Sequence, residues 1–291
     1  GVVASQSFQP DPLMVALMLA SWLAIVQLDQ RPSTRAALLA GLLSGAAVLI
    51  KPVCAFQIAA LYVGLWARGL PRSVRSRRAR DPRSHWLRTG WRALNERGPL
   101  LWGLGTLLPM AAWYLPSLNG GGRLGSQAEQ SFKSELLRTA AYWVGWRDHA
   151  LGVSGGPMVA GAAVLGLVLA PAGRARVALW ALLIGYVAYG LTFNYHISTH
   201  DYYQLPWLPV VGLALAALAA RLVSLANGRS RRLVQAGLAL STLALAALGM
   251  REISADIWPR THTARSDERG YSEIGQLVQH SPRVVFLTPN A

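Results

Sequence analysis

The stretch Asn194–Gly212, NYHISTHDYYQLPWLPVVG, places two histidines, an aspartate and three tyrosines within ten residues and then turns apolar. His196 and His200 are four apart with Asp201 adjacent, so on a helix the two imidazoles would share a face, as metal ligands do. The stretch joins two apolar runs, however, and has no glutamate at the general-base position of a zincin-like motif, so no metal is expected. Tyr195, Tyr202 and Tyr203 would suit the headgroup depth of a membrane with no further role. Anchoring does not account for two histidines and an aspartate beside them. Hydrogen bonding to a polyhydroxylated or phosphorylated ligand does, because imidazole, carboxylate and phenol offer donors and acceptors in a small space. His196, His200, Asp201, Tyr202 and Tyr203 are therefore the first candidate substrate-binding residues.

Lys51 is the next. Lys51 and Lys133 are the only lysines in a chain whose other basic residues are arginine and whose net charge is +15. Lys51 interrupts a long apolar run, where an ammonium would either snorkel to the interface or meet an anion. Asp11, Arg123 and Arg147 are further candidates for contact with a phosphate or sugar. Cys54, the single cysteine, lies in an apolar run and reads as a buried structural thiol; one cysteine permits no intramolecular disulfide and no cysteine-based zinc site.

The elements that must position these residues are membrane helices. The chain is 53% hydrophobic and only 14% charged, against about a quarter charged in soluble domains. Apolar runs predict about eight spans: Pro12–Leu28, Ala36–Ile50, Val53–Ala67, Pro99–Leu118, Pro157–Ala170, Val177–Phe193, Leu205–Ala220 and Leu233–Gly249. Ala36–Ala67 would be about 48 Å long as one helix, too long for a hydrocarbon core of about 30 Å. Lys51–Pro52 breaks it, since proline disfavours a continuous helix, and two short spans with a turn at Lys51 are expected.

Sidedness follows from arginine. The segment Arg68–Gly98 carries ten arginines against Asp81 and Glu96, so it is expected in the cytoplasm. Counting outward, the arginine-bearing turns at 31–35, 174–176 and 221–232 fall on the same side, which removes any need for nucleic acid. Within the first segment, Trp86, Leu87, Trp91 and Leu94 predict a helix on the membrane surface. The opposite face collects Asp11, Lys51, the loop 119–156 and the histidine–tyrosine stretch. In that loop, Phe132, Leu136, Ala140, Trp143 and Val144 follow helical spacing, predicting an interfacial helix with Trp143 and Trp146 at headgroup depth. After Arg251 the sequence is soluble in character. Ser266 would cap a helix and 283–288, RVVFLT, reads as a buried strand. The expected organisation is a transmembrane domain over 1–249 and the opening of an extracytoplasmic α/β domain over 250–291, in a piece of a longer protein.

FNYHISTHDYYQLPWLPVVGLAL resembles the signature region of bacterial membrane glycosyltransferases of the family-39 and aminoarabinose-transferase type, in the GT-C superfamily. SFQPDPLMVALML and GLLSGAAVLIKPVCAFQIAALYVGLW are similar to two further segments of that family. The resemblance implies an inverting transfer of a sugar from a polyprenyl-phosphate donor to a lipid, protein or cell-wall glycan acceptor. The reaction would occur on the outer face of the bacterial cytoplasmic membrane, with no cofactor. It implies a general-base aspartate upstream of Gly1, so Asp11 is not expected to be the base, and a phosphate-pairing role for Lys51. The competing expectations are a secondary transporter and a non-catalytic protein that binds a lipid carrier. Transporters place ionisable groups near the midplane, whereas here the polar groups gather at one face.

Overall fold

The computed structural model describes residues 11–69, 97–118 and 131–252, with positions 254, 255, 273 and 276 beyond them. The surface helix expected around Trp86–Leu94, Arg123 and the α/β elements of the tail lie outside the described residues. Those residues form ten α-helices and contain no strand: α1 (Asp11–Gln30), α2 (Thr34–Ile50), α3 (Ala55–Gly69), α4 (Arg97–Leu118), α5 (Ala140–Ser154), α6 (Pro157–Leu169), α7 (Arg174–Thr192), α8 (Asn194–Thr199), α9 (Trp207–Leu225) and α10 (Gly228–Glu252). Contacts divide the chain into two units at Arg231/Arg232. Helices α1 to α9 belong to the first, and most of α10 belongs to the second.

Helices stand at each of the eight apolar runs. Four of them, α1, α7, α9 and α10, are long and apolar enough to cross a membrane, and a fifth span arises if the bent pair α5–α6 is counted as one. α2, at 17 residues, is apolar but shorter. The α5–α6 bend is 90° and falls at Gly155 and Gly156, whose φ angles of 90° and 94° are open to glycine at little cost. With α6 along a membrane normal, α5 would lie along the surface.

The interfacial helix expected through Phe132–Val144 is shorter than its spacing suggests. Leu136–Arg138 form one 3-10 turn, and α5 starts at Ala140 because the Thr139 hydroxyl accepts the Tyr142 N–H at 3.4 Å. Trp143 is exposed, as an interfacial residue would be. Trp146 instead is buried and donates its indole N–H to the Tyr186 hydroxyl at 2.7 Å. The difference arises because Trp146 sits three residues on, on the face that α7 covers.

Packing follows from small residues. α2 buries Ala37, Ala40, Gly41, Ser44 and Ala47 and packs against α1 and α4. Ser44 bonds Ser21 of α1 at 2.8 Å and receives the Trp102 indole of α4 at 3.2 Å. α3 packs on α7, and α6 on α9. Met14, Met18, Ile25, Ile58, Leu61 and Leu182 form the core, while Leu13, Leu23, Leu42, Leu108 and Ile184 point outward, as side chains facing lipid would.

α1 links two polar ends. At its C-terminal end Asp29 accepts Arg68 of α3 at 3.1 Å and also Arg174 of α7. At its N-terminal end lies Asp11. Twenty residues at 1.5 Å each separate the two ends by about 30 Å, the thickness of a hydrocarbon core.

Candidate functional site

α2 stops at Ile50 because Pro52 has no amide hydrogen to continue the ladder. Lys51 turns extended (φ −156°, ψ 118°), and its carbonyl accepts the Cys54 thiol at 3.1 Å. That corner aims the Lys51 ammonium at Asp11, whose Oδ1 accepts it at 2.5 Å. Asp11 is buried in the first turn of α1, where the helix dipole favours an anion. Its second oxygen, Oδ2, has no hydrogen-bond partner among the described residues. The same ammonium lies 4.4 Å from the Tyr203 ring centre and 5.3 Å from that of Tyr202, within cation–π range. The lysine that reads as solitary in sequence is therefore paired and faces the histidine–tyrosine stretch.

That stretch is not one helix. α8 ends at Thr199, His200 is extended, and Asp201–Gln204 form a 3-10 turn before α9. Side chains from two other helices, α3 and α7, hold the path. Gln204, fully buried, donates to the Ile197 carbonyl at 2.7 Å and accepts the Tyr186 hydroxyl of α7. Tyr189 donates to the Tyr203 carbonyl at 3.1 Å, and Gln57 of α3 donates to the Pro206 carbonyl at 3.1 Å. α5 approaches closely at Gly145, where a Cβ would stand 2.4 Å from the Ser198 carbonyl oxygen.

His196 stacks on Tyr203 with ring centres 4.8 Å apart and planes 9° from parallel. His200 lies 6.1 Å from His196, and its Nδ1 meets the Thr199 hydroxyl at 2.7 Å. Burial first, then the charges of His200, Lys51 and Lys133, lowers the His196 pKa below its ordinary 6.5. Burial pushes the Tyr203 phenol up to about 12, with Tyr202 and Asp11 adding to it. It raises Tyr202 as well, with Asp11 the next cause there. At neutral pH the wall thus offers a neutral imidazole and two protonated phenols around one ammonium. Asp201 is exposed. Among the described residues, no group of three or more His, Cys, Asp or Glu side chains could hold a metal ion.

One residue escaped the sequence reading. Lys133 stands with its ammonium 4.2 Å from the Tyr195 ring centre, and its backbone is bound by Asn194. The available signal was compositional: in a chain otherwise served by arginine, both lysines lie at this site. Arg147, by contrast, pairs with its neighbour Asp148 at 2.8 Å on an exposed face.

Beside the polar wall is an apolar groove of about 260 Å³ lined by Pro12, Val15, Leu205, Leu208 and Pro209. Pro12 follows Asp11 and Leu205 follows Gln204, so groove and wall are built from the same two chain segments. No protein-family model, curated protein or solved structure matches the chain. The chemical character of the site is an ammonium, an imidazole and phenols next to an apolar slot. Such a site can bind an anionic headgroup whose attached chain is hydrocarbon.

Proposed function

We propose that the chain belongs to a membrane glycosyltransferase of the GT-C type. Such an enzyme transfers a sugar from a polyprenyl-phosphate donor to a lipid, protein or cell-wall glycan acceptor at the outer face of a bacterial cytoplasmic membrane. The observation that carries this reading is the joining of Lys51 and the histidine–tyrosine wall, which are far apart in sequence, beside an apolar groove. Phosphate and prenyl tail are the two halves of such a donor. In the reaction the acceptor hydroxyl gives its proton to a carboxylate base, as the family resemblance implies, and its oxygen bonds to the anomeric carbon. The bond from that carbon to the phosphate oxygen breaks, and the electron pair leaves with the polyprenyl phosphate. An ammonium beside the departing phosphate stabilises the charge that develops there. His196, His200, Asp201, Tyr202 and Tyr203 would contact donor phosphate or sugar. Asp11 is not assigned as base; it is read as the ion-pair partner of Lys51.

The test is sugar incorporation by the full-length protein in proteoliposomes supplied with a panel of radiolabelled polyprenyl-phosphate sugars. Transfer or slow hydrolysis of one donor, weakened by His200→Ala or Tyr202→Phe per folded molecule, is the expected result. Solute flux across the same liposomes with no donor turnover would replace the reading with a transporter. Donor binding with neither turnover nor flux would replace it with a lipid-carrier binder.

A further inference from the structure

Three observations meet at Lys133. The first is its fixation. Its N–H donates to Asn194 Oδ1 at 2.9 Å and its carbonyl accepts from Asn194 Nδ2 at 3.0 Å. Asn194 is fully buried and uses one donor and one acceptor of its amide on this single residue. The second is its surroundings. The ammonium lies over Tyr195, whose ring centre is 5.4 Å from that of His196, and both lysines of the chain act on the charge of His196. The third is its state of pairing. Lys51 has Asp11, whereas no carboxylate among the described residues pairs with Lys133. An aromatic face holds a cation without neutralising it, so Lys133 is the ammonium at this site that has no carboxylate partner among the described residues.

We infer that Lys133 binds the phosphate of a membrane-anchored phosphate ester at this site, and that Asn194 is the positioning residue that fixes it there. This rests on the proposed phosphate-binding role of the site and adds to it a second cation, carried by the loop before α5. Lysine suits the task as a point charge with three donors on a flexible stem. Two backbone hydrogen bonds from a buried amide hold the base of that stem still, so that the order needed on binding is already present.

The test measures binding to the full-length protein in nanodiscs of neutral lipid, by displacement of labelled farnesyl phosphate, with dioleoyl phosphatidylglycerol as a separate arm. Losing one charge-assisted hydrogen bond is expected to weaken binding about ten- to a hundredfold in Lys133→Gln. Lys133→Arg should restore most of it. Asn194→Ala should weaken binding to a similar extent although Lys133 is present, and the double variant should be no weaker than either single one, because both changes remove the same contact. If Lys133→Gln binds both lipids as wild type does, the inference is wrong while the proposed function stands. If Asn194→Ala folds and binds normally, the positioning role is wrong. Wild-type protein that binds phosphatidylglycerol but not farnesyl phosphate, with the same dependence on Lys133, would support the phosphate site. It would also identify its ligand as a bilayer headgroup and overturn the glycosyltransferase reading. Wild-type protein that binds neither would overturn both.

Discussion

Lys51 and Asp11 form an ion pair in which the carboxylate is almost fully buried. Removing one partner of a buried pair leaves the other charge uncompensated, at a cost of about 3–5 kcal/mol. Lys51→Met is therefore expected to lower folded yield as well as donor affinity. The double variant Lys51→Met/Asp11→Asn should recover thermal stability while still binding phosphate poorly. Recovery of both would reduce Lys51 to a structural partner of Asp11. His196 gives a second prediction. Its folded pKa lies below 6.5, so near that pH the unfolded chain binds more protons than the folded one, and stability rises with pH. Above about pH 6.5 this contribution is fully present; it is lost as pH falls toward the folded value. The thermal midpoint of the ligand-free protein should fall between pH 7.5 and 5.5, and His196→Gln should fall less. His200, Lys51 and Lys133 are the charged groups that act on it, and an equal fall in the variant would show that His196 does not carry the pH dependence.

Elements bring these residues together where the chain can approach itself closely. Gly145 of α5 meets the Ser198 carbonyl of α8, and Gly185 of α7 meets Gln57 of α3, where a Cβ would stand 2.6 Å from the Gln57 Cα. Gly145→Ala is expected to cost about 1–3 kcal/mol by overpacking and to weaken phosphate binding, because α8 carries Asn194 and His196. Gly152→Ala in the same helix meets nothing within 4 Å and should be neutral or slightly stabilising. A Gly145→Ala protein with wild-type melting and binding would show that α5 does not support the site. Much at this scale was legible in the sequence. The apolar runs mark the helices, and Pro52 marks the break at Lys51, because hydrophobic length and a missing amide hydrogen act locally. The pairing of Asp11 with Lys51 was not legible, nor was the clamp of Asn194 on Lys133, 61 residues away. Such contacts depend on how helices assemble, and one sequence carries no record of it. The helical spacing of Phe132–Val144 misled for a local reason: the Thr139 cap starts a new helix within it.

At the scale of the molecule, the two ends of α1 divide the chemistry. Asp29 with Arg68 and Arg174 lies at one end, and Asp11 with Lys51 and the histidine–tyrosine wall lies about 30 Å away at the other. A bilayer separates charges in this way when arginines stay in the cytoplasm, and the segment 68–98 with its ten arginines continues from the Arg68 end. We propose that this asymmetry orients the chain with the candidate site on the outer face, where a lipid-linked donor would be used. Cysteine labelling in intact cells tests it with little background, because the one native cysteine, Cys54, is buried. Single cysteines placed between Arg72 and Arg92 are expected to resist a membrane-impermeant maleimide until the cells are broken, whereas Ser126→Cys and Thr199→Cys should react at once. Thr199 is exposed on α8, so a lack of reaction there would reflect sidedness rather than burial. The reverse pattern would place the site in the cytoplasm, where its ligand would have to be a phosphate presented from the inner leaflet. Equal labelling of both sets before lysis would mean that the arginine asymmetry does not orient this chain.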